Sequence, residues 1–162
     1  MTLSYRFLVG LAGAGSAAIL LGAFGFQYIG GLEPCAMCLW QRWPHAIAIG
    51  IAALGLTVPR AFFALAGALN MAVSAGLAIF HSGVERHWWI GPSSCTSRGV
   101  DLTAGDCGLL DPTCGSAIVL CDQIPWAMFG LSMANYNIFG SLVLMVIWLM
   151  AAKRALSRFG NS

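Results

Sequence analysis

Residues 61–80 read AFFALAGALNMAVSAGLAIF, twenty positions without a charge. About 20 apolar residues in a helix cross the hydrocarbon of a bilayer, so this stretch predicts a membrane-spanning helix. Three further apolar stretches lie at about 7–28, 40–58 and 126–152. Composition agrees: the 162 residues are 59% hydrophobic and 9% charged, with a mean hydropathy of +0.80, whereas soluble domains carry about a quarter charged residues. A water-soluble fold is excluded. The expected fold class is an all-α integral membrane protein, a four-transmembrane-helix bundle forming one domain over residues 1–162. Two loops join the spans on the outer side, at about 29–39 and 81–125, the second long and irregular.

Charge placement orients the bundle. The acids are Glu33 and the group Glu85, Asp101, Asp106, Asp111 and Asp122, all in the two loops. Arg6, Arg60, Lys153, Arg154 and Arg158 stand at the N-terminus, at the connector after the second span and in the C-terminal tail. Under the positive-inside rule these mark the cytoplasmic side, which holds both termini, and the acidic loops face outward. The formal net charge of +2 gives no basis for a nucleic-acid partner. The first apolar core is longer than that of a cleavable signal, about 7 to 15 residues, and reads as an uncleaved anchor. Its small residues Gly10, Gly13, Ala14, Ala17 and Ala18 suit close helix packing in lipid. The very short turn at Pro59-Arg60 makes the second and third spans antiparallel neighbours. Gly91-Pro92, Gly99, Gly105, Gly108, Asp111-Pro112 and Gly115 punctuate the long loop, which exceeds what a connector needs and suggests a functional segment.

All six cysteines, Cys35, Cys38, Cys95, Cys107, Cys114 and Cys121, fall in the two outer loops and none inside a span. That confinement points to redox use or stapling in a compartment that permits disulfides. Fifteen pairings are possible and spacing does not choose among them. Cys35-Ala36-Met37-Cys38 follows Pro34, a residue suited to the first turn of a helix, so both thiols are expected at a helix N-terminus, where amide groups and the helix dipole favour a thiolate. Arg42, four residues past Cys38, lies on the same helical face and would favour a Cys38 thiolate. Two plainer readings stand beside this one. A CxxC can be half of a zinc site completed by Cys107 or Cys114, and Arg42 can be a lipid anchor; the histidines lack ligand-like spacing, so no metal site is expected. No Gly-rich dinucleotide fingerprint accompanies the cysteines, which argues against a flavin or nicotinamide cofactor.

The stretch Pro34-Cys35-Ala36-Met37-Cys38-Leu39-Trp40-Gln41-Arg42 resembles the DsbB family of membrane disulfide-generating proteins, with its Pro-Cys-x-x-Cys-x-x-x-Arg signature opening the second of four helices. Gly91-Pro92-Ser93-Ser94-Cys95 and the run Cys121-Asp122-Gln123-Ile124-Pro125-Trp126 through Met133 resemble the family's second periplasmic loop and the start of its fourth helix. The resemblance covers essentially the whole chain. It implies a bacterial inner-membrane oxidoreductase that reoxidises a DsbA-like periplasmic thioredoxin-fold protein and passes electrons to a membrane quinone, ubiquinone or menaquinone. Carried over residue by residue, it implies a loop disulfide Cys95–Cys121 attacked by the partner at Cys95, transfer from Cys121 to Cys35, and a released Cys38 thiolate that reduces a quinone held by Arg42. His81 falls close to a family histidine near the quinone; an amphipathic interfacial anchor is the alternative. Trp88-Trp89 reads as an interfacial anchor, and Trp126 and Asn137 as structural.

Cys107 and Cys114 depart from the simplest family pattern. A third disulfide between them is one reading, and exchange with Cys95 or Cys121 is the other. Rival functions are a paralogue serving one dedicated thioredoxin-like donor, and a non-catalytic disulfide-stapled or zinc-binding tetraspan protein. In a further rival, the vitamin K epoxide reductase-like proteins, the CxxC follows the loop cysteines, whereas here it precedes them.

Overall fold

The computed structural model describes residues 4–92 and 120–159. Most of the long loop, with Cys95, Cys107 and Cys114, lies outside the described residues. Among the described residues four helices carry the fold: α1 (Tyr5–Tyr28), α2 (Ala36–Thr57), α3 (Ala61–Glu85) and α4 (Met133–Phe159), with a two-stranded hairpin, β1 (Ala127–Met128) and β2 (Leu131–Ser132), before α4. Among the described residues, three helices are long and apolar enough to cross a membrane: Tyr5–Tyr28, Ala61–Glu85 and Met133–Ser157. The α2 helix carries Gln41, Arg42, Pro44 and His45 and is not among those three.

Capping and turn chemistry set the ends. Ser4 caps α1, its side chain accepting from Phe7 N at 3.3 Å, and so satisfies one of the first-turn amides. Residues 58–60 reverse the chain between α2 and α3. There Arg60 O accepts a 3.0 Å hydrogen bond from Tyr5 Oη, which pins the start of α1 to this connector and puts both at one end of the bundle. Among the four helices α3 and α4 share the largest interface.

The core at that end is built from small residues. Ala12, Ala48, Ala52, Ala64, Ala68, Ala151 and Ala155 pack with Tyr5, Leu8, Met71 and the fully buried Trp148. Small side chains let helices approach closely where lipid supplies no hydrophobic drive for association. Gly67 lies directly beneath the Trp148 indole, where a Cβ would collide with the ring. The expected small-residue face of α1 is only partly the packed one. Gly13 meets Ala52, but Ala14 and Ala18 are exposed and nothing lies near a Cβ at Gly10. The buried stripe runs instead through Tyr5, Leu8, Val9, Ala12, Gly13 and Ser16, the helical period set by the large residues Tyr5 and Leu8. Outside, Leu21, Phe62 and Leu69 are each about 70% exposed, an apolar exterior that suits lipid rather than water.

Two boundaries differ from the sequence reading. The third helix runs one turn past Phe80, so His81 to Glu85 are buried helix residues and not the start of a loop. Residues 127–132 form the hairpin, with Ala127 paired to Ser132 and Met128 to Leu131, where a helix was expected. Phe129 and Gly130 both have positive φ (52° and 75°), the backbone of a tight two-residue turn, and α4 starts only beyond it.

Candidate active site

Cys35 is the N-cap of α2, its Sγ accepting from the Cys38 amide at 3.2 Å. Pro34 therefore precedes the cap and does not fill the first turn. An extended backbone at Cys35 followed by one helical turn brings the sulfurs of Cys35 and Cys38 to 2.7 Å, within a small side-chain rotation of a disulfide. Both thiols sit above the apolar stretch 40–58. The hydrogen bond from Cys35 pulls the Cys38 thiol below its ordinary pKa, against burial, and Arg42 adds a smaller Coulombic share in the same direction. The same sulfur–sulfur bond, with burial, pushes Cys35 up. Cys38 is therefore the better leaving group of the pair.

The two sulfurs have different neighbours. Cys35 is buried with Met37, Val84 and Cys121, which is 0% exposed. Cys38 lines a cavity of about 420 Å³ between α1, α2 and α4, whose walls include Ile19, Leu20, Phe26 and Trp126 and whose polar lining includes Arg42, His45, His81 and Asn137. Arg42 is held from α1: Nη1 donates to Gln27 Oε1 at 2.7 Å, Nη2 to Ala23 O at 3.3 Å, and the guanidinium lies 4.9 Å from the Phe24 ring centre. Trp126, read from sequence as structural, forms part of the cavity wall and packs on Phe26 at 5.1 Å.

His81 reaches this site from α3. Its Nε2 lies 3.6 Å from Cys35 Sγ and 3.9 Å from Glu85 Oε1, while Nδ1 lies 2.6 Å from Gln41 Nε2. With Nδ1 accepting from the amide, a neutral His81 carries its hydrogen on Nε2, where the Cys35 sulfur and the Cys121 backbone carbonyl share it. Glu85 accepts from Ser132 Oγ, and Ser82 Oγ donates to Asn135 Oδ1 at 3.0 Å, so the last turn of α3 is tied to the start of α4. The Cys35 and Cys38 sulfurs and a His81 ring nitrogen lie within 4.8 Å of one another, a donor set that could hold a thiophilic cation when the thiols are reduced.

A polar chain continues inward from His81. Gln41 joins it to Asn137, which meets His45, Ser141 and, through Ser141, Ser74. Gln41, His45 and Glu85 carry no signal of a site role in the sequence beyond being polar in or beside apolar stretches, and Asn137, expected to be structural, joins the same chain. Among the expected site residues, Cys35, Cys38, Cys121, Arg42 and His81 come together around the thiol pair and cavity, while Cys95, Cys107 and Cys114 fall outside the described residues. Both tryptophans are exposed; Trp89 stacks on Phe80 at 5.9 Å and donates to its carbonyl at 2.7 Å, and Trp88 meets Trp89 edge-on at 6.1 Å.

Fold and site together define a multi-pass helical membrane protein with a partly buried dithiol beside an apolar cavity. The profile of the family "Disulfide bond formation protein DsbB" matches residues 5–151, and the chain belongs to that family. Relatives named "Disulfide bond formation protein B" include those of Azoarcus sp. (28% identical, covering 85% of this chain and 87% of the relative), Aromatoleum aromaticum (32%, covering 76% and 80%) and Acinetobacter baumannii (30%, covering 92% and 91%). No solved structure matches this chain significantly.

Proposed function

We propose that this protein is a quinone-linked oxidase of protein thiols in the bacterial inner membrane, with four spans, both termini cytoplasmic and the cysteine-bearing loops in the periplasm. The observation that carries the reading is the division of labour at the CxxC, with Cys35 packed beside Cys121 and Cys38 facing the cavity that Arg42 lines. A thiolate of a DsbA-like thioredoxin-fold partner attacks Cys95 of a Cys95–Cys121 disulfide, forming a mixed disulfide and releasing Cys121. Cys121 attacks Cys35; the Cys35–Cys121 bond forms, the Cys35–Cys38 bond breaks, and Cys38 leaves as a thiolate. The depressed pKa of Cys38 favours that direction, and the Nε2 hydrogen of His81 is placed to stabilise charge on Cys35 when that sulfur later departs.

The cavity fits a quinone head group: apolar walls take the ring, Arg42 has donors for a carbonyl oxygen, and Cys38 stands at the wall. Bound there, a quinone supplies a two-electron acceptor. Cys107 and Cys114 are assigned to a third, structural disulfide. A test uses a reduced thioredoxin-fold partner whose resolving cysteine is replaced. Peptide mapping is expected to find it trapped on Cys95, with Cys121 free or joined to Cys35, and trapping on Cys107 or Cys114 would overturn the assignment. A second reading, favoured by the three clustered ligand atoms, is a cation site in place of redox chemistry. Stoichiometric zinc in the purified protein, with thiols that no partner oxidises, would support it.

A further inference from the structure

The cavity has a second polar feature that the thiol relay does not use. His45 lies two turns beyond Cys38 on α2, lines the cavity and is 2% exposed. Its Nε2 is 2.9 Å from Asn137 Oδ1 and 3.5 Å from Ser74 Oγ, while its Nδ1 is buried and has no hydrogen-bond partner among the described residues.

The hydrogen on this ring is fixed by a chain that starts at a backbone group. Met37 O can only accept, and Gln41 Nε2 lies 3.3 Å from it, so that end of the Gln41 amide is the donor. Gln41 Oε1 then accepts from Asn137 Nδ2 at 2.7 Å, which leaves Asn137 Oδ1 as an acceptor facing His45 Nε2. A neutral His45 consequently carries its hydrogen on Nε2 and keeps a bare lone pair on Nδ1. Amide side chains do not pass protons along as hydroxyls or imidazoles do, so the chain from His81 to His45 acts as a tautomer lock and not as a proton wire. A buried acceptor without a donor is costly, and polar groups inside a membrane bundle generally serve a site.

We propose that His45 Nδ1 accepts a hydrogen bond from a hydroxyl of the hydroquinone, so that this cavity binds the reduced head group more tightly than the oxidised one. The inference rests on the quinone reading above and assigns a redox preference to the same cavity. Two electrons and two protons turn the quinone's two carbonyl acceptors into hydroxyls that also donate. Arg42 has donors and no acceptor and serves either form; a bare imidazole nitrogen serves the hydroxyl alone. His45 and Arg42 are three residues apart and share the cavity-facing side of α2. Tighter binding of the hydroquinone makes the bound quinone a stronger oxidant toward Cys38, by about 30 mV per tenfold preference.

The test is equilibrium binding to the full chain in detergent, with Cys38→Ala present to block thiol chemistry. A short-chain benzoquinone and its hydroquinone are each titrated anaerobically by calorimetry, with His45 intact and with His45→Leu or His45→Phe. With His45 intact the hydroquinone is expected to bind roughly 10-fold tighter than the quinone. Both substitutions should bring the ratio near one while moving quinone affinity less than about 3-fold. Phe keeps most of the ring volume while removing both nitrogens, so neither variant offers an acceptor to the hydroxyl. An unchanged ratio in both variants overturns the proposal. Equal loss of both forms also overturns it, and makes His45 a structural residue. Failure of the parent protein to bind either form refutes the quinone reading itself and this inference with it.

Discussion

Replacing Cys38 by Ala is expected to lower quinone-linked turnover by roughly three orders of magnitude or more, the scale on which removal of an essential nucleophile acts. Among the described cysteines, Cys38 alone lines the cavity, while Cys35 and Cys121 are buried beside each other. Without Cys38, electrons that reach Cys35 have no sulfur at the cavity wall from which to leave. On the proposed pairing, the outer Cys95–Cys121 disulfide would be untouched by the change and would still accept two electrons once. A burst of one partner dithiol oxidised per protein should therefore survive while the steady state is lost, as read by stopped-flow partner fluorescence with and without quinone. Continued turnover in Cys38→Ala would place the exit for electrons elsewhere.

Arg42→Met carries the second largest effect, and it falls on quinone use alone. The guanidinium is tied to Gln27 and Ala23 of α1 and lines the cavity with Cys38. A charge-assisted hydrogen bond from it to a quinone oxygen would contribute on the order of 1.5–3 kcal/mol, or roughly 10- to 100-fold in affinity. The quinone concentration for half-maximal rate should rise by about that factor, with the single-turnover burst nearly normal. Gln27 is only half-buried, so losing its Arg42 partner exposes little uncompensated polarity. Unchanged quinone dependence would make Arg42 a lipid anchor, and equal loss of burst and steady state would mean a disturbed fold.

Three of the helices were legible because long charge-free stretches admit few alternatives in lipid, where backbone groups must be satisfied within the segment. Length does not mark where such a stretch stops. Ala127, Met128 and Leu131 are as apolar as helix residues, and only Phe129-Gly130 turns the chain there. Likewise nothing at Phe80 signals that the helix continues through His81 to Glu85. The thiol pair was legible from its spacing and its place at the start of the second helix, and the family resemblance agrees with the profile match. Contacts across the bundle were not. His81 meets Cys35 across 46 residues and Asn137 meets Gln41 across 96, separations that only the packed fold closes. The same holds for Cys121, whose burial beside Cys35 depends on how the chain returns from the long loop into the hairpin.

On the proposed route, electrons leave the outer thiols through Cys35 and Cys38 to a quinone. This route is tested most directly by adding quinone in substoichiometric steps to the fully reduced protein without oxygen, while counting both hydroquinone formed and thiols lost. Two thiols should be lost per hydroquinone formed, with the Cys35–Cys38 disulfide among the products on peptide mapping. Thiols that stay reduced until oxygen is admitted, or that bind metal and ignore quinone, would contradict it.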